Sequence, residues 1–116
     1  MKEGEALEVL FDDADLAKTF RNMRELRKKH GAVRAKKIEQ RLKDLEEAAT
    51  LAIMRSAPGR CHELHGDRAG QLSLDLDHPY RLLFRPGGDP DPGPGGGLDW
   101  SAVRAVVVIG IEDTHR

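Results

Sequence analysis

Cysteine is almost missing from this chain. Cys61 is the only one in 116 residues, so no internal disulfide forms and none of the cysteine-rich zinc patterns is available. It reads as a small, partly buried residue at the start of a strand rather than a reactive thiol. Long apolar runs are missing too. The longest, Ala105 to Ile111, is far short of the ~20 residues a membrane-spanning helix needs, and Met1 to Glu8 is acidic with no signal-peptide pattern. These absences lead us to expect a cytoplasmic protein without membrane contact. There are no internal repeats, and the chain has little charge of either sign in excess, with a formal net charge of −1.

A chain of this length is the size of one domain and buries roughly two thirds of its unfolded surface, enough for a single core. We therefore read residues 1–116 as one domain. The near-zero net charge hides an asymmetry. From Leu16 to Lys43 there are eleven Lys or Arg (Lys18, Arg21, Arg24, Arg27, Lys28, Lys29, Arg34, Lys36, Lys37, Arg41 and Lys43) against only Glu25 and Glu39, a segment charge of +9. The compensating acids lie in the first fifteen residues and after Lys43. A surface so charged attracts polyanions by releasing their counterions, although a merely solvated helical face has the same composition.

Leu7 to Phe11, closed by Asp12 and Asp13, reads as an opening strand, with Asp13 or Asp15 as the cap of a following helix. Leu16, Phe20, Met23 and Leu26 recur at helical spacing and predict one helix that stops at His30-Gly31, where His30 is a structural last-turn cation. Val33, Ile38, Leu42, Leu45 and Ala49 predict a second helix running to about Arg55. After Pro58 the period becomes alternating, with turn residues every eight to ten positions. Strands are expected at Cys61–Leu64, at Leu72–Leu76 and, after a turn at Asp77-His78-Pro79, from Tyr80, where Leu82 and Phe84 share a face and Arg81 and Arg85 share the other. Pro86 to Gly97 is a flexible Pro/Gly loop, and Ala105 to Ile111 is a strand buried on both faces at the centre of the sheet. The expected class is α+β: an N-terminal strand and a two-helix hairpin on a mainly antiparallel sheet of four to five strands.

Histidine and arginine gather in the sheet half. Cleaving RNA through its own 2′-hydroxyl needs a base for that proton, an acid for the leaving 5′-oxygen and donors for the phosphorane charge. Histidine fills either proton-transfer role near neutral pH, and arginine forks onto phosphate oxygens. His62, His65, Arg81 and His115 are the candidates, with convergence on one concave side of the sheet. Each also has a plainer reading: His62 and His65 as strand-end surface residues, His115 as a tail residue, and Arg81 as the ion-pair partner of Asp75 across a hairpin. His62-x-x-His65 with Asp113-x-His115 offers a rival reading as ligands for zinc or a similar ion.

The order of elements, with the strings His62-Glu-Leu-His-Gly-Asp67, Pro79-Tyr-Arg-Leu-Leu-Phe-Arg85 and Ile111-Glu-Asp-Thr-His115, resembles the RelE/ParE superfamily of toxins, and within it the HigB-type killer proteins. The resemblance covers nearly the whole chain. It implies a metal-independent, cofactor-free endoribonuclease of a type II toxin–antitoxin system that cuts messenger RNA on the ribosome and is restrained by a cognate antitoxin protein. On that reading His62 or His65 exchanges protons with His115, Arg81 contacts the phosphate and Asp113 orients a histidine. Arg21, Arg24, Lys28, Arg34, Lys37 and Arg85 face messenger or ribosomal RNA. His65 stands where HigB-like toxins often carry lysine, and Thr114 where many carry tyrosine; loss of that aromatic removes a base-stacking platform or a proton donor. The near-neutral charge also departs from the basic habit of these toxins. The alternatives are a non-catalytic ParE-like inhibitor that binds a protein such as DNA gyrase through its helical hairpin, a degenerate member of weak activity, and a metal-dependent hydrolase.

Overall fold

In the computed structural model, which describes residues 6–114, the change of period after Pro58 separates three helices from a meander of strands. The order is β1 (Glu8–Phe11), α1 (Ala14–Phe20), α2 (Met23–His30), α3 (Ala32–Glu47), β2 (His62–Glu63), β3 (Leu72–Asp75), β4 (Tyr80–Pro86) and β5 (Ala105–Asp113). The strands lie in the order β1-β5-β4-β3-β2, with β1 parallel to β5 and every other neighbour antiparallel. This is the expected α+β arrangement. β5 is interior, flanked by β1 and β4, and its Val106, Val107 and Val108 are all buried, but the middle position belongs to β4.

The helical half departs from its expected form in two places. The stripe Leu16, Phe20, Met23 and Leu26 spans two helices rather than one, because Asn22 takes an extended conformation and its side chain accepts from the amides of Arg24 and Glu25. An Asn three residues before a Glu is a helix-start signal that the unbroken apolar stripe overrode. Asp13 caps α1, accepting from the Leu16 amide at 2.8 Å. Gly31, at φ +85°, ends α2 and begins α3. α3 stops at Glu47, well before Arg55. Ala48 is drawn into an extended conformation, its carbonyl accepting from the Leu7 amide at 2.7 Å, and the Leu51 amide reaches the Val103 carbonyl. A 3-10 turn at Leu51–Arg55 follows. The hydrogen bonds that end the helix come from segments distant in sequence, so helical periodicity does not reveal them.

The core lies between the helices and one face of the sheet. Ile38, Leu42 and Leu45 of α3 pack with Leu72 and Leu74 of β3, Leu82 and Phe84 of β4, and Val106 and Val108 of β5. His30 sits against Phe20 at the edge of this layer, and burial, followed by the charges of Arg34 and Lys29, holds its imidazole below the usual value against the opposing pull of Asp77. Within residues 86–97 the Gly93 amide bonds the Gly97 carbonyl and Pro92 bridges Leu98, so this loop closes on itself. Beyond it Trp100 is tied down by its indole N–H to Glu63 at 2.9 Å and by the Arg55 guanidinium 3.9 Å above its ring.

Leu45 is fully buried and Val33 is 68% exposed. Leu45→Ala is expected to destabilise the fold by about 2–5 kcal/mol and Val33→Ala by no more than about 0.5 kcal/mol, as measured by urea unfolding.

Candidate functional site

The face of the sheet turned away from the helices carries the polar residues. Strand pairing sets His62 opposite Ser73, Ser73 opposite Leu83, and Asp75 opposite Arg81, which in turn faces Glu112. Because alternate positions on these strands are the core residues Leu72, Leu74, Leu82 and Phe84, this set shares the face away from the helices, which is covered at Ser73 and Leu83 and open towards His62. Arg81 does not pair with Asp75. Its Nε donates to Glu112 Oε1 at 2.9 Å, its Nη2 stands 2.7 Å from the same oxygen as an ion pair, and Arg68 donates to the other carboxylate oxygen. Asp75 instead holds Arg60 at 2.6 Å. Burial pushes the Glu112 carboxyl up, but the hydrogen bonds and charges of Arg81 and Arg68 outweigh it and hold the group below the usual carboxylate range. Arg81 Nη1 has no hydrogen bond among the described residues.

At the end of this face a cavity of about 280 Å³ is lined by His62, His78, Arg81 and Thr114, with Arg60 and Asp75 beside them. His62 Nδ1 lies 2.7 Å from the Arg60 carbonyl. A carbonyl only accepts, so Nδ1 carries the proton and Nε2 keeps the lone pair of the neutral ring. Thr114 closes the rim, its amide and hydroxyl both donating to the Pro79 carbonyl, at 2.9 and 2.7 Å.

The candidate residues are thus only partly brought together. His62 and Arg81 share the cavity. His65 is exposed, precedes the 3-10 turn Gly66–Arg68, and does not line it. Asp113 is exposed at the end of β5, opposite Tyr80, and His115 lies outside the described residues. Sequence reasoning missed His78, treated only as part of a turn, and Glu112, the anchor of Arg81. His78 carried a signal in its own residue type; Glu112 had none, since it becomes the partner of Arg81 only through register. Among the described residues no three His, Cys, Asp or Glu side chains gather in a form that holds a metal ion.

The basic residues of the helices divide similarly. Arg24 and Lys28 project from α2 and are exposed. Arg21 donates to the Val9 carbonyl at 3.2 Å and lies 5.0 Å over the Phe11 ring. Arg34 is clamped inward, 3.4 Å over Tyr80 and bonded to Asp77 at 3.1 Å. Arg85 meets Asp12 at 3.3 Å, and Lys37 is half-buried. Arg41, counted with the surface cations on sequence grounds, is only 7% exposed. Cys61 is the inert residue expected: burial pushes its thiol up to about 12, against a smaller opposing pull from Arg55.

Two measurements check these environments. Iodoacetamide at pH 8 should alkylate Cys61 more than about 100-fold more slowly than an ordinary exposed thiol, and brings it to the ordinary rate only on unfolding. Glu112 keeps its charge to lower pH in the folded chain than in the unfolded one. Its ion pairs therefore stabilise the fold above the ordinary value of 4.5, and the contribution fades as pH falls through the folded value. The loss of urea resistance between pH 6 and pH 3 is expected to be smaller in Glu112→Gln than in the native chain.

No family profile matches the sequence, and no curated protein sequence does. Among solved structures, a YoeB/ParE toxin from Agrobacterium tumefaciens superposes with a TM-score of 0.58 over 94% of this chain and 100% of that chain, at 16% sequence identity. A likeness at that identity speaks for architecture rather than for chemistry. With its parallel β1–β5 pair, its helical hairpin and its antiparallel meander, the chain has the fold of the RelE/ParE-like toxins.

Proposed function

We propose that this chain is the toxin of a type II toxin–antitoxin pair, of the HigB kind, and that it cuts messenger RNA on the ribosome at the open face of its sheet. The observation that carries this reading is the cavity in which a histidine with a defined tautomer meets an arginine fixed by a carboxylate. His62 Nε2 takes the proton of the RNA 2′-hydroxyl, and the 2′-oxygen attacks the adjacent phosphorus. Arg81, presented through Nη1, steadies the charge that develops on the phosphorane oxygens. The bond from phosphorus to the 5′-oxygen breaks as His115, oriented by Asp113, donates a proton to that oxygen. The products are a 2′,3′-cyclic phosphate and a free 5′-hydroxyl. The exposed Arg24 and Lys28 meet ribosomal RNA phosphates, and the cognate antitoxin protein restrains the reaction. Translating ribosomes set the cytoplasm as the place of action.

The test is translation of a reporter messenger RNA in a cell-free bacterial system, with cuts mapped by primer extension. Intact protein is expected to cut only when ribosomes are present, and Arg81→Ala, His62→Gln and His115→Ala to lower the rate by about 10²-fold or more each while keeping a native circular dichroism spectrum. Messenger RNA that stays uncut by the intact protein in the presence of ribosomes would overturn the nuclease and leave an inhibitor that acts on a protein.

A further inference from the structure

A second cavity, of about 340 Å³, lies on the outer side of α3 where Pro58 follows the helical half. Lys37, Gln40, Arg41, Lys43 and Asp44 line it with Pro58. Arg41 makes it unusual. Its side chain is nine-tenths buried, yet no carboxylate pairs with it among the described residues. Its Nε donates to the Asp75 backbone carbonyl at 2.7 Å, and the Asp75 carboxylate is occupied by Arg60. Gly59, at φ +110°, gives it room: a Cβ there would stand 2.9 Å from Arg41 Nε and 3.0 Å from Leu74. The Asp75 amide bonds the Gly59 carbonyl at 2.7 Å, which locks that segment around the arginine.

A buried cation without a counterion is costly, and the groups packed around this one hold it in place without neutralising it. The two Nη nitrogens make no hydrogen bond among the described residues, and neither is sealed from solvent. Lys37 and Lys43 bring further positive charge to the same cavity; Asp44 is the one carboxylate that opposes them. A planar fork with two unused donors, flanked by ammonium groups, suits a tetrahedral oxyanion. We propose that this cavity is a phosphate-binding site, its ligand either free phosphate or a phosphate group of an RNA backbone. It lies apart from the His62–Arg81 cavity and stands whether or not the chain cuts RNA.

The site is read by titrating the ¹⁵N-labelled intact chain and following the Arg41 Nε–Hε resonance. Sodium phosphate is expected to shift it saturably, whereas sodium chloride at equal ionic strength does not. The double variant Lys37→Ala, Lys43→Ala should weaken the phosphate titration about three-fold or more, and Asp44→Asn should strengthen it by a similar factor. None of these substitutions touches the buried arginine, so folding is preserved. A short single-stranded RNA that moves the same resonance at lower concentration than phosphate identifies the backbone as the ligand; phosphate that acts where RNA does not identifies the free anion. A resonance that neither probe moves, or whose phosphate response ignores both sets of substitutions, overturns the proposal.

Discussion

Seven residue pairs join β4 to β5, and their register governs the rest of the molecule. Tyr80 to Pro86 run against Asp113 to Val106 with a shift between Leu83 and Phe84, where Ile109 is left out of the pairing. Before the shift the odd-numbered Ile111 faces the helices; after it the even-numbered Val108 and Val106 do so. The bulge lets one strand feed the core along its whole length while Glu112 stays on the open face. Had the register run on unbroken, Val108 would stand opposite Arg85 and the apolar layer would be split between two faces.

The electrostatics of the open face follow from that pairing. Arg81 has two cross-strand neighbours, Asp75 on β3 and Glu112 on β5, and either could neutralise it. Arg60 occupies the first, which leaves Glu112 to be shared between Arg81 and Arg68. The result is an arginine held rigidly by its carboxylate, with a donor nitrogen left over. A phosphate contact of that kind is preorganised, since the side chain need not be immobilised when the ligand arrives.

The helices add cations of different kinds. Some, such as Arg24 and Lys28, are exposed and suited to diffuse attraction of a polyanion. Others are structural: Arg34 stacks on Tyr80 and binds Asp77, fastening α3 to the turn between β3 and β4 beside the His62 cavity. Arg41 is of a third kind, a charge buried behind a glycine and a backbone carbonyl. A segment charge of +9 is therefore not a uniform surface: some of its cations stand in solvent, while others clamp or pack inward.

Local chemistry determined which elements form and in what order. The apolar stripe of α3, the Gly31 break, the alternation of β3 and β4 and the unalternating run of β5 all depend on neighbours a few residues apart, and they can be read along the chain. The residues of the proposed site were legible as types as well: His62 and Arg81 were recognised from the chemistry they offer. Partners were not, because pairing depends on register between strands whose spacing in sequence carries no signal. That is why Asp75 rather than Glu112 was the ion-pair partner offered as the plainer reading of Arg81, why His78 passed for a turn residue, and why Arg41 was counted with cations on a surface it does not occupy. In each case the tertiary structure decided which charge met which, since the energy of a charge is set by what stands within a few ångströms of it in space.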